Sequence, residues 1–452
     1  MTTTTPASPP TEAAWPKTGM PSDEVLFQGP PLLSKKTMTT TTIVCFLAWV
    51  FSVYDVVLFG TLLPKIAGEF GWSTGYATTV ATWVTIGTFF VSMLVGPLLD
   101  RVGRKPALIV TTAAAAVTSG FTGMVGGAAS LVGVRAISGL GYSEEVVNSV
   151  YLNEMYGKTR SRGFMFSFVQ SGWPVGALLA AAFAAALLPV VGWRWVFALA
   201  TFPVIIIVLL GTRLRESPPF VALKRTRELR KEGRHEDANR LAELYGLDIS
   251  RDAESGLKQI FAPDLRWHTI SLSAAWLFNW MGIQIFSVLG TTILVDAKGV
   301  SFSSALVVLI LANAAGFLGY LFHGWLGDRI GRRTTIMAGW AIGGIIMTVM
   351  LFGPDSSGFV IPMYALGLFF LLGPYAPLLF YMGESFPARV RGIGPNTAHL
   401  MGPIGAILGS GLLTVLLSAG AGATMAAFVA GALGIFLSGV VMLGTRKVGQ
   451  DD

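Results

Sequence analysis

The chain has 452 residues, 53% of them hydrophobic and only 13% charged, with a mean hydropathy of +0.63 and a formal net charge of +7. Soluble proteins carry about a quarter charged residues, so this balance excludes an ordinary soluble domain and places the chain in lipid. One cysteine, Cys45, excludes an internal disulfide and sets aside a thiolate metal cluster. The basic residues fall in short runs between apolar spans, where the positive-inside rule puts them, which sets aside nucleic acid as a partner.

Residues 1–37 are rich in Thr, Pro and Ser and lack an apolar stretch of signal-peptide length, which predicts a disordered cytoplasmic N-terminal arm. Within it, "EVLFQGP" (Glu24–Pro30) resembles a viral 3C-protease recognition site of the kind carried by expression vectors, and "MTTTT" occurs at both Met1 and Met38. The arm is therefore read as partly vector-derived, or as preceding a second start, and is given no functional role.

A bilayer-spanning helix needs about 20 mostly apolar residues. Twelve segments meet that requirement: 40–63, 76–99, 106–125, 130–152, 164–188, 195–213, 268–292, 302–326, 334–352, 359–381, 393–417 and 423–444. Pro64, Pro106 and Gly-rich breaks at 126–127 and 419–422 punctuate them. The runs are too long and continuous for the alternating strands of a β-barrel. With the N-terminus cytoplasmic, 28 of the 32 Lys and Arg fall on the cytoplasmic side, three outside (Lys65, Arg194, Lys298) and one, Arg135, within a helix. Removing the 12 from Arg213 to Arg266 still leaves 16 against three, so the orientation does not depend on them. The central "RTRELRKEGRHEDANRLAELYG" has helical spacing and predicts a solvated amphipathic helix linking two halves.

Two stretches repeat. "GPLLDRVGRK" (Gly96–Lys105) matches "GWLGDRIGRR" (Gly324–Arg333) 228 residues on, and "NEMYGKTRSRG" (Asn153–Gly163) matches "GESFPARVRG" (Gly383–Gly392), with Glu154 aligned to Glu384. The chain thus divides into the arm (1–37), a six-helix half (38–213), a central cytoplasmic loop (214–267), a second six-helix half (268–446) and a short cytoplasmic tail (447–452). Repeats of this kind build a binding site between halves near the bilayer midplane. The duplicated G-x-L-x-D-R-x-G-R-[KR] loop on twelve helices resembles the major facilitator superfamily of secondary transporters, over residues 38–446. "YDVVLFG" in helix 1 and "RAISGLGYSEE" in helix 4 resemble segments of the metabolite:proton symporters. "RESPPF" and "ESFPARVRG" are similar to stretches of the aromatic-acid:proton symporters and sugar porters. Ser52 stands where the aromatic-acid branch has the first Asp of a D-x-x-D pair. The resemblance implies an all-α polytopic membrane protein of twelve helices, multi-pass in the cell membrane with both termini cytoplasmic.

Four ionisable groups lie well within spans: Asp55, Arg135, Glu144 and Glu145. Each costs about 2.5–3.5 kcal/mol at a helix centre, so each is a functional candidate. At about 1.5 Å per residue, Asp55 and Arg135 fall roughly 5 and 9 Å to the outer side of the midplane, and the two glutamates roughly 5 Å to the inner side. Arg135 offers a fork of donors suited to a carboxylate, and Asp55 or one glutamate carries the coupling proton. A fixed Asp55–Arg135 pair that only locks helices 1 and 4 is the alternative. Glu144 and Glu145 project about 100° apart, so both do not face one partner. Further cavity candidates are Tyr54, Gln170, Trp173, Asn279, Trp280, Gln284, Asn313, Tyr375, Asn396 and His399, while His323 is expected near the membrane interface. A cytoplasmic gate network is expected from Asp100, Arg101, Arg104, Glu154, Arg162, Asp328, Arg329, Arg332, Glu384 and Arg391, holding helix ends together in one state and parting in another.

Enzyme signatures are absent: "GKT" at Gly157–Thr159 lacks the preceding phosphate-loop glycine, and no H-E-x-x-H occurs. Four histidines and one cysteine argue against a metal centre, and no cofactor is expected. The reading is a monomeric secondary active transporter, a proton-coupled symporter taking up a small organic anion such as a carboxylate or aromatic acid. A drug or metabolite efflux antiporter, a sugar or polyol:proton symporter and a transporter-derived sensor are the alternatives.

Overall fold

In a bilayer every backbone N–H and C=O must be paired within the protein, so apolar runs of this length fold as helices. A computed structural model describes residues 10–16, 19–156, 165, 168–247, 256–386, 390 and 393–447. Among these residues no strand occurs, only one isolated bridge between Thr11 and Leu32.

The first half holds helix 1 (Lys35–Phe70), helix 2 (Thr74–Ser92 and Val95–Val102), helix 3 (Arg104–Thr122) and helix 4 (Ala128–Ile137, Gly139–Tyr142 and Glu144–Tyr156). Helices 5 and 6 form the run Phe168–Gly211, hinged at Gly192, whose φ of 73° breaks the helical path. The second half holds helix 7 (Arg266–Val288 bent by 75° into Gly290–Lys298), helix 8 (Phe302–Ile330), helix 9 (Arg332–Phe352), helix 10 (Ser357–Ser385), helix 11 (Gly394–Ser418) and helix 12 (Ala423–Gly444). Seven described helices are long and apolar enough to cross a bilayer, or eight with bent helix 7. The run Phe168–Gly211 is two spans, and helices 2, 3 and 4 are broken or rich in Thr, Ser and Gly; together these make the twelve.

Local sequence explains the ends. Ser34, Ser73 and Ser301 cap helices 1, 2 and 8 by accepting an amide N–H three residues on. Gly71 closes helix 1 in the left-handed region at φ 67°. The bend in helix 7 follows a π-turn over Gln284–Val288. The Tyr364 hydroxyl donates to the freed Phe286 carbonyl at 2.5 Å, so the break leaves that group paired. Val190, Met124, Leu209 and Val415 are among many apolar side chains left exposed around the outside. In water such a belt marks aggregation, whereas in lipid it is the face a spanning protein needs.

Each half packs on itself, helix 1 against helix 5 and helix 3 against helix 6, then helix 7 against helices 11 and 12 and helix 8 against helix 10. The halves meet along helices 1 and 7, 2 and 11, and 5 and 8. The described residues of the repeated loops, the central segment and both terminal regions gather at one end, here called the motif face; the other end is the far face.

Two expectations about the ends change. The arm, expected disordered over 1–37, is folded over its described residues: Trp15 and Leu26 are buried with Val221, Ala222, Leu229, Ala238 and Leu241. Asp23 pairs with Arg225 at 2.7 Å, and Arg215 donates to the Glu12 and Trp15 carbonyls at 3.0 and 2.7 Å. The central helix is two helices, Pro218–Lys231 and His235–Leu244, parted by Gly233 at φ 80°. Its apolar stripe is covered rather than solvated. Composition hid this because two large apolar anchors suffice to seat an otherwise polar segment.

Candidate functional site

Helices 4 and 7 shape the centre of the molecule because small residues let them come close to their neighbours. A Cβ on Gly139 would lie 2.4 Å from the Thr88 carbonyl of helix 2, and one on Gly60 would lie 1.9 Å from the Val288 carbonyl of helix 7. Ser138 and Ser143 interrupt helix 4, their hydroxyls donating to the carbonyls of Arg135 and Gly139 within the same helix. The Ser52 hydroxyl donates to the Gly141 carbonyl, joining helix 1 to helix 4.

Two chambers lie between the halves, separated by the edge-to-face rings of Trp173 and Trp280 at 5.5 Å. The smaller, about 20 Å³, is bordered by Trp49, Glu145, Gln170, Tyr320 and Tyr375. The larger, about 50 Å³, is bordered by Phe59, Thr85, Thr88, Arg135, Tyr142 and Gln284. On the far face the halves are joined by the Thr291 hydroxyl donating to the Gly60 and Thr61 carbonyls at 3.2 and 2.8 Å, and by Thr82 to Thr414 at 3.4 Å. Toward the motif face a cleft of about 370 Å³ opens between helices 5, 8 and 10, with Phe168 and Trp325 on opposite walls.

Asp55 and Arg135 meet directly. Arg135 Nη1 donates to both Asp55 carboxylate oxygens at 2.9 Å, and Nη2 to the Asp55 carbonyl at 3.1 Å. Both residues are buried, 4% and 2% exposed, and the guanidinium carbon sits 5.3 Å from the Phe59 ring centroid. The Nε donor of Arg135 has no partner. A buried pair gains little net stability, but one with a spare donor at a chamber wall has capacity for an anion.

The adjacent glutamates part company. Glu144 turns inside the first half, where it accepts from Thr111 at 2.6 Å and Thr112 at 3.4 Å on helix 3. Glu145 turns to the interface and meets His399 of helix 11, Oε2 to Nε2 at 3.2 Å. The sequence named both members of that pair without joining them.

The remaining candidates divide similarly. Gln170, Trp173, Trp280, Gln284 and Tyr375 border the chambers, and Trp173 donates across the halves to Ser287 at 3.2 Å. Tyr54 is buried against Phe183 within the first half. Asn279 bonds Ser438 and Tyr375 inside the second half, Asn313 bonds the Leu309 carbonyl of its own helix, and Asn396 is exposed. His323 is buried among helices 8, 9 and 10, its Nδ1 2.8 Å from the Gly319 carbonyl. Sequence reasoning missed Trp49, Phe59, Trp276 and Tyr320. Trp276, Trp280 and Gln284 sit at four-residue steps, a stripe that marks one helix face.

At the motif face, Arg104 holds Glu154 through Nε and Nη2 at 2.8–3.0 Å, and Ser217 donates to the same carboxylate. Glu216 accepts the amides of Arg104, Lys105 and Ser217 at 3.0, 3.3 and 2.9 Å, and burial raises its pKa above the ordinary carboxylate value. In the second half Arg332 pairs with Glu384 and approaches Asp328 at 3.5 Å, while Arg329 lies over Trp325. Arg101 is exposed. The side chain of Asp100 and residues Arg162 and Arg391 lie outside the described residues. Arg104–Glu154 and Arg332–Glu384 each brace helices of one half.

Residues 45–410 match the model of the Major Facilitator Superfamily. The chain is 26% identical to the gallate transporter of Pseudomonas putida over 84% of this chain and 86% of that one. It is 24% identical to the niacin transporter NiaP of Acinetobacter baylyi over 80% of this chain and 83% of that one. In fold it resembles the inward-open xylose transporter XylE from E. coli, with a TM-score of 0.69 at 15% identity, covering 92% of this chain and 98% of that one.

Proposed function

Because the chain belongs to the major facilitator superfamily, a family of multi-pass membrane transporters, we propose that it imports a small organic anion together with protons, an aromatic carboxylate being the favoured class. The observation that carries this reading is the Asp55–Arg135 pair at the wall of an aromatic chamber, with one guanidinium donor unused. A substrate carboxylate fits that donor, and its ring fits between faces such as Phe59, Tyr142 and Trp280. An anion that draws the guanidinium away leaves Asp55 without its counter-charge. A proton on Asp55 then restores neutrality, which ties substrate entry to proton entry. The names of two relatives agree with the class, since gallate and niacin are both aromatic monocarboxylic acids. The motif face, carrying most of the Lys and Arg, is assigned to the cytoplasm of a cell membrane, and the protein acts as a monomer.

Uptake into proteoliposomes tests the reading. The wild type accumulates gallate or nicotinate when the outside is acid, whereas Asp55→Asn exchanges substrate but does not concentrate it. An Asp55→Asn protein that concentrates substrate as the wild type does removes Asp55 from coupling. The amides of Gln170 and Gln284 at the chamber walls favour a second reading, a sugar or polyol. Xylose uptake in the same vesicles with no anion uptake selects it.

A further inference from the structure

Two acid–base pairs lie within the membrane, and the second has no part in the anion site. Glu145 and His399 sit on helices 4 and 11, in opposite halves. Every other ion pair between described side chains stays within one half, stays within the central segment, or ties the arm to that segment. Glu145 lies ten residues beyond Arg135 on helix 4, about 15 Å nearer the motif face. The far face is already joined through Thr291 and Thr82, so a solute in the chambers leaves toward the motif face. That exit lies between the two halves, which the pair joins through helices 4 and 11.

The surroundings are suited to one mobile proton. The two side chains are 15% and 23% exposed, and Glu145 borders the smaller chamber. The titratable groups facing the pair are Tyr142 of helix 4, Tyr320 of helix 8 and Tyr375 of helix 10, each within electrostatic reach of the Glu145 carboxylate. From helix 7 the Trp276 ring meets His399 edge-on at 4.8 Å. The described neighbours thus supply no competing cation to Glu145.

We propose that Glu145 and His399 form a second proton station, the one from which the coupling proton leaves, and that their parting opens the motif face. While paired, the imidazolium Nε2–H donates to the carboxylate and one proton is held between them. When helix 4 separates from helix 11, Nε2 gives that proton to water on the motif side. The pair re-forms after another proton arrives through the chambers. This rests on the proton-coupled reading above and adds to it the residues and the movement that release the proton.

The test has two arms. In the first, spin labels are placed at Phe168→Cys and Trp325→Cys across the cleft, in a Cys45→Ser background and without substrate. The distance distribution in nanodiscs shifts between pH 5.5 and 8.5. Glu145→Gln and His399→Gln abolish that shift, and Glu145→Asp restores it. A shift unchanged in both Gln variants, or absent from the parent, overturns the proposal. In the second arm, the Gln variants lose accumulation of gallate or nicotinate under a pH gradient. Variants that accumulate substrate normally overturn the proton station. A wild type that moves neither anion overturns the proposed substrate class, while the label distances still decide the role of the pair.

Discussion

The same motif builds two corners of this molecule, and they are not equally strong. In the first half, Arg104 and Glu154 are nearly buried, with side chains 9% and 19% exposed. The corner is closed by Ser217 and by Glu216, which accepts three backbone amides. In the second half, the equivalent Arg332 and Glu384 are 27% and 51% exposed. The partners that differ, Glu216 and Ser217, come from the segment between the halves, which is present once and lies beside the first corner. Duplication supplied the motif twice, while the linker reinforced one copy. The first corner is thereby the more tightly closed of the two.

Three comparisons sharpen or break this contrast. The largest difference is expected for Glu154→Ala against Glu384→Ala. Removing Glu154 takes a carboxylate away from a nearly buried guanidinium and costs up to about 3 kcal/mol. Removing Glu384 from an exposed pair costs about 0–1 kcal/mol. Thermal unfolding in detergent measures both, and equal losses refute the asymmetry.

A smaller difference separates Gly103→Ala from Gly331→Ala. Both glycines have positive φ, 105° and 89°, so both variants pay about 1 kcal/mol of backbone strain. At Gly103 a Cβ would also lie 2.3 Å from Glu216 Oε2, whereas at Gly331 its nearest neighbour is 4.0 Å away. Gly103→Ala is therefore expected to lower the unfolding midpoint by more, and a midpoint drop no larger than that of Gly331→Ala contradicts the close approach.

The smallest effect is a pH dependence confined to the first corner. Burial raises the pKa of Glu216 in the folded state above its ordinary 4.5. Its contribution is fully present below that value and is lost as pH rises through the folded pKa. Wild-type stability measured relative to Glu216→Gln should fall as pH rises from about 4.5. A difference that stays flat, or grows with pH, reverses the assignment.

Much of this architecture was legible in one dimension. The twelve segments read from hydropathy all coincide with helices, although the ends moved by several residues where caps and broken turns extend them. The four buried charges were legible because each breaks an apolar run. The Asp55–Arg135 contact was within reach because similar depths on two helices limit the choices. The fold of residues 10–16 and 19–34 was not legible, since its two anchors, Trp15 and Leu26, are ordinary residues until a partner surface exists.

What the sequence by itself determined is therefore the number of spans, the duplication and the position of each charge along its helix. These follow from local requirements, an apolar length to cross lipid and about 1.5 Å of rise per residue. The tertiary structure alone decided which way each charge faces. Adjacent Glu144 and Glu145 have nearly the same depth, yet one ends among the threonines of helix 3 and the other meets His399 in the opposite half. A difference of about 100° around the helix axis separates them, and only the packing of neighbouring helices gives that angle a meaning.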